Sequence, residues 1–132
     1  MVPMQAKTVL LVEDQIDFLA VQKTYLERHG YRVLAVEDGA EAIRCAREHH
    51  PHVILMDLSL PHLDGLSATR ELKRDPATSE IPVVLLTAHA YGSAGRRARE
   101  AGCAAFVPKP CDPRRVLDEV MELIGPPREV VQ

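Results

Sequence analysis

The chain of 132 residues carries 16 Lys+Arg against 19 Asp+Glu, a formal charge of −3, with 46% apolar and 27% charged residues. That length fits one domain, and the composition excludes a disordered chain or a coiled coil. The mild acidity leaves no electrostatic footprint for nucleic acid, and no apolar run nears the ~20 residues that a membrane span needs.

The segment from Met1 to Thr8 lacks the charged and apolar blocks of a signal peptide, so a cytoplasmic location is the expectation. Five apolar runs follow: Val9-Leu10-Leu11-Val12, Val33-Leu34-Ala35-Val36, Val53-Ile54-Leu55-Met56, Val83-Val84-Leu85-Leu86 and Ala104-Ala105-Phe106-Val107. None alternates with polar residues, which reads as strands covered on both faces, as in a parallel sheet. The intervening segments suit crossover helices. Phe18 and Leu19 recur at Tyr25 and Leu26, and Val116, Val120 and Ile124 repeat every fourth residue.

Helix punctuation falls between the runs. Gly30 and Gly102 stand where the first and fourth helices should end in left-handed backbone. Asp38 with Glu41 forms a capping-box pattern, and Asp112-Pro113 supplies an N-cap followed by proline. Gly92 and Gly95 weaken the fourth helix, whose Arg96, Arg97 and Arg99 read as a solvated face. Gly125-Pro126-Pro127 ends the last helix. The pattern is βα repeated five times, a single α/β domain over 1–132 with its core at about 7–125 and a loose tail over 126–132. Cys45, Cys103 and Cys111 form no CxxC pair and read as reduced thiols.

In a parallel sheet, ligands bind beyond the carboxyl ends of the strands. The first run is followed by Glu13 and Asp14, the third by Asp57, the fourth by Thr87, and the fifth by Pro108-Lys109-Pro110. Neighbouring strands would bring three carboxylates, a hydroxyl and an ammonium to one rim. Two carboxylates ~5 Å apart repel by about 3 kcal/mol at an effective dielectric of 20. Lys109 offsets one charge, and the surplus suits Mg²⁺, which takes oxygen ligands and keeps several waters.

With these residues the sequence resembles the receiver domain of two-component response regulators, the family of the chemotaxis protein CheY. The matching stretches are Val9-Leu10-Leu11-Val12-Glu13-Asp14, Met56-Asp57-Leu58-Ser59-Leu60-Pro61 with Asp64-Gly65, Leu86-Thr87-Ala88, and Phe106-Val107-Pro108-Lys109-Pro110. The resemblance implies a flavodoxin-like (βα)5 fold: a doubly wound five-stranded parallel sheet, order 2-1-3-4-5, with helices on both faces. It further implies that Asp57 accepts a phosphoryl group from a histidine kinase or histidine phosphotransfer protein. Asp14 is then a direct Mg²⁺ ligand, Glu13 acts through water, and the Ser59 backbone carbonyl completes the metal set. Lys109 is implied to bind a phosphoryl oxygen, aimed by a cis bond to Pro110. Thr87 and Phe106 form the implied switch pair, and output passes to a downstream protein target rather than through enzymatic turnover. His89 reads first as a surface loop histidine, although the resemblance sets its position near the path of the hydrolytic water.

Both a stand-alone regulator and a receiver cut from a hybrid kinase or longer regulator fit this pattern. Two rivals fit less well. A phosphatase of the haloacid-dehalogenase type needs a second acid two residues after its nucleophile, where Ser59 stands. A flavodoxin-like FMN carrier needs a Gly/Ser/Thr-rich phosphate loop after the first strand, where Glu13-Asp14-Gln15 would repel phosphate.

Overall fold

The computed structural model describes residues 5–88 and 93–128. In chain order the elements are β1 (Thr8–Val12), α1 (Ile16–Arg28), β2 (Arg32–Val36), α2 (Gly39–His49), β3 (Val53–Asp57), α3 (Gly65–Arg74), β4 (Val83–Thr87), α4 (Ala94–Ala101), β5 (Ala105–Pro108) and α5 (Pro113–Ile124). All strand pairings are parallel, and the order is β2-β1-β3-β4-β5, as expected.

Period-two alternation within the strands divides the core between two faces. Leu10, Val12, Ile54, Met56, Val83 and Leu85 pack under α2, α3 and α4 through Ile43, Leu66, Leu72 and Ala98. Val9, Leu11, Val53, Leu55, Val84 and Leu86 face α1 and α5 through Leu26, Val116, Leu117 and Val120. Every residue of β1, β3 and β4 is buried, so for these the continuous apolar runs mean cover on both sides. For the edge strands they do not. In β2 only Val33 is buried while Arg32 and Ala35 are exposed, and in β5 only Val107 is buried. An edge strand has a neighbour on one side and lies at the margin of its helix cover.

The helix ends follow the punctuation with one difference. Gly30 and Gly102 adopt φ of 97° and 101°, and the Asp112 side chain caps α5 through the Arg114 amide. Asp38 Oδ1 accepts from the Glu41 amide at 2.8 Å, but Glu41 returns its bond to the Glu37 amide rather than to that of Asp38. Beyond α5 the chain stays attached at least to Pro127, whose carbonyl accepts from the Lys7 amide at 2.9 Å. Packing therefore continues two residues past Gly125. Gly92 and His89 lie outside the described residues, so their expected roles are not addressed by the structure. Gly95 sits within α4, a helix of eight residues whose Ser93 N-cap makes no side-chain bond. Its Arg96, Arg97 and Arg99 are exposed, as a solvated face requires.

Gly65 sets how closely α3 approaches β3. A Cβ there would lie 2.5 Å from the Asp57 carbonyl oxygen and 2.9 Å from the Leu58 Cα. Both are backbone atoms that cannot swing aside. Gly65→Ala should therefore cost about 1–3 kcal/mol in urea unfolding, as overpacking does.

Candidate functional site

Five polar side chains follow the apolar runs, and the sheet gathers them at one rim. β1 pairs with β3 in the register Val12↔Met56, which makes Glu13 and Asp57 the next residues on adjacent strands. Asp57 is level with Leu86, one residue short of Thr87, and Thr87 is level with Pro108. The Lys109 amide then donates to the Thr87 carbonyl at 2.6 Å. Lys109 thus leaves the last strand beside the ends of the other three. The Lys109–Pro110 peptide is cis, as the resemblance implied.

The Lys109 ammonium donates to Asp57 Oδ2 at 2.6 Å and to Glu13 Oε1 at 2.8 Å. The other Asp57 oxygen, Oδ1, accepts from the Ser59 amide at 2.9 Å. Carboxylate oxygens of Glu13, Asp14 and Asp57 all lie within 4.8 Å of one another. Glu13 and Asp57 are buried and Asp14 is exposed, so the cluster is open to solvent along one side. Such a set of hard oxygen donors fits Mg²⁺, with room for waters on the Asp14 side. Ser59 is exposed in the loop between β3 and α3, two residues after Asp57.

Thr87 is 1% exposed at the end of β4. Phe106, level with Leu85 on β5, is half-buried against the cluster beneath α2, α3 and α4. It is neither a fully enclosed core aromatic nor a surface ring. Phe18, which sequence reasoning did not associate with the rim, places its ring centroid 4.3 Å from the Lys109 ammonium. The two residues are far apart in the chain, and helical periodicity alone names no partner for an α1 side chain.

Burial raises the Glu13 carboxyl to about 7, and its hydrogen bond and charge contact with Asp57 add to the rise, while Lys109 opposes it. Burial also pulls the Lys109 ammonium down, but its bonds to Asp57 and Glu13 outweigh that and hold it above its ordinary value. The rim therefore concentrates negative charge that one lysine only partly satisfies.

Residues 9–121 match the response regulator receiver domain family, and the chain belongs to it. Polar-differentiation response regulator DivK of Brucella ovis is 37% identical over 119 residues, covering 90% of this chain and 97% of that protein. Among solved structures, the receiver domain of sensor histidine kinase PA1611 from Pseudomonas aeruginosa PAO1 has a TM-score of 0.84 at 35% identity. It covers 91% of this chain and 98% of its own, and it holds a magnesium ion in its active site cleft. CheY4 of Vibrio cholerae superposes with a TM-score of 0.85 at 23% identity, covering 90% and 99%, and shares the fold. The chain is thus a receiver domain of two-component signalling. No helix among the described residues is long and apolar enough to cross a membrane.

The elevated Glu13 value has a consequence for stability. The folded protein keeps a proton that the unfolded chain releases between 4.5 and about 7. In that window the unfolded state binds fewer protons, so stability falls as pH rises, then stays level above it. Urea unfolding in EDTA should show a decline from pH 5 to 7.5 that Glu13→Gln flattens. Millimolar Mg²⁺ should recover stability at pH 7.5, because a cation that binds only the folded chain favours it.

Proposed function

We propose that Asp57 is the phosphoacceptor of a phosphorelay, modified by the phosphohistidine of a histidine kinase or phosphotransfer protein. The observation that carries this reading is the single rim on which Glu13, Asp14, Asp57 and Lys109 meet, with Lys109 2.6 Å from Asp57. A carboxylate oxygen of Asp57 attacks phosphorus, the P–N bond breaks, and the histidine, protonated on its other ring nitrogen, leaves with the bonding electron pair as neutral imidazole. The Ser59 amide donates to one Asp57 oxygen and the Lys109 ammonium to the other, which fixes the orientation of the carboxyl group at the rim.

Glu13, Asp14, Asp57 and the Ser59 carbonyl would hold Mg²⁺, which when bound neutralises charge on the transferring oxygens. The magnesium in the PA1611 receiver supports that assignment. Lys109 then binds a phosphoryl oxygen as a point charge. The histidine-bearing partner meets the rim beside Ile16, which is 71% exposed on the first turn of α1, two residues beyond Asp14. Thr87 donates its hydroxyl to the new phosphoryl oxygens and Phe106 turns inward behind it, altering the face formed by α4, β5 and α5 for a downstream protein target. The protein acts in the cytoplasm as a stoichiometrically modified switch, and it does not turn over a substrate. A second organisation, a receiver within a sensor kinase, is favoured by the likeness to PA1611.

With Mg²⁺ and acetyl phosphate, intact-mass measurement should show one phosphoryl adduct, absent in Asp57→Asn. An adduct that persists in this variant places the acceptor elsewhere. In titration calorimetry Asp14→Asn should weaken Mg²⁺ binding by about tenfold or more, the scale of one lost charged ligand contact. Unchanged affinity removes Asp14 from direct coordination.

A further inference from the structure

Phe18 and Gln22 are four residues apart on α1 and so lie on one face of the helix. Both meet the turn that carries Lys109. The Phe18 ring centroid is 4.3 Å from the ammonium, and Gln22 Nε2 donates to the Cys111 carbonyl at 3.5 Å. Gln22 is 1% exposed, and its Oε1 finds no donor among the described residues. A buried amide oxygen without a donor is a costly placement that an apolar side chain would avoid. What the amide supplies at this position is its one bond, to the carbonyl two residues after Lys109.

We propose that Phe18 is a positioning residue for phosphoryl transfer, its ring face seating the Lys109 ammonium beside Asp57 while Gln22 holds the backbone of the same turn. This inference rests on the reading of Asp57 as phosphoacceptor. The two carboxylates that grip the ammonium are both committed elsewhere in that reaction: Asp57 becomes an acyl phosphate, and Glu13 is one of the residues that would hold the metal. The Phe18 ring is the partner that changes neither charge nor covalent state. An aromatic face attracts a cation with little demand on hydrogen-bond direction. The ammonium can therefore pivot from carboxylate to phosphoryl oxygen without leaving the ring.

The test uses the full chain with acetyl phosphate and Mg²⁺. Phe18→Leu keeps an apolar side chain but removes the ring, and should slow modification of Asp57 about three- to tenfold, the range of a partly desolvated cation–π contact. Phe18→Tyr should restore the rate to within about twofold. In a Lys109→Met background, Phe18→Leu should make no further difference, because the ring acts through the ammonium. A readout independent of phosphorylation is the NMR position of the Lys109 ε-methylene protons. Ring current should shift them upfield in the wild type and in Phe18→Tyr, and Phe18→Leu should abolish the shift. A wild-type rate in Phe18→Leu, or equal slowing with and without Lys109, overturns the proposal. If the wild type takes no phosphoryl group on Asp57 while the ring-current shift is present, the phosphoacceptor reading fails, and the transfer role of Phe18 falls with it.

Discussion

One ammonium between two buried carboxylates organises the rim of this sheet. Lys109 contacts Asp57 at 2.6 Å and Glu13 at 2.8 Å, and both carboxyl groups are nearly closed to solvent. Removing such charges from water costs several kcal/mol each, so they are tolerable only with a cation at contact distance. That requirement reaches back into the fold. Glu13 follows β1, Asp57 ends β3 and Lys109 follows β5, and the order β1-β3-β4-β5 has the lysine stem span the end of β4 to reach both acids. The backbone bond from the Lys109 amide to the Thr87 carbonyl fixes where that stem begins.

The same ammonium leaves the site under-neutralised. Three carboxylates within 4.8 Å share one lysine, and Glu13 is held near pH 7 in its protonation by burial and by Asp57. A divalent cation on the exposed Asp14 side would relieve that charge. Lysine and metal are therefore complementary. The lysine holds the acids together from the β5 side, and the open side would admit an ion with its own water shell. A group that brings further negative charge to Asp57 needs both.

Much of this was legible in the chain because strand ends are punctuated by chemistry. A run apolar on both faces stops where it meets water, and the polar residue at that point marks the rim. Glu13, Asp57, Thr87 and Lys109 could thus be placed together provided their strands are neighbours, and the strand order that makes them so came from the family resemblance carried by the short motifs. Cover of the edges was less legible. Val33-Leu34-Ala35-Val36 reads like a central strand, yet Ala35 is exposed, because apolar content does not reveal how far helices extend over a margin. Pro127 fell within the tail expected over 126–132, but its carbonyl is tied to Lys7. Phe18 and Gln22 were invisible as site residues. Their partners, Lys109 and Cys111, lie about ninety residues away, and such pairing emerges only when α1 packs across β1 toward the β5–α5 turn.

The distribution of packing also indicates where a change at Asp57 can be felt. α3 commits Gly65, Leu66, Ala68, Thr69 and Leu72 to the interior, whereas α4 commits only Ala98 and Ala101. Two alanine methyls bury little apolar area, so displacing α4 forfeits far less than displacing α3. α4 is also the shortest helix described, and its N-terminus has no side-chain cap. Segments of low local stability are where a modest driving force moves structure. Shifting a two-state equilibrium from 1:99 to 99:1 takes about 5.5 kcal/mol, and a phosphoryl group offers a few charge-assisted hydrogen bonds toward that total. On the proposed reading that energy is delivered through Thr87 at the end of β4 and Phe106 on β5, the two strands that flank the connection through α4. The rim is tied by charge contacts between Lys109, Asp57 and Glu13, and the adjoining helix is lightly anchored where, on that reading, the signal would emerge.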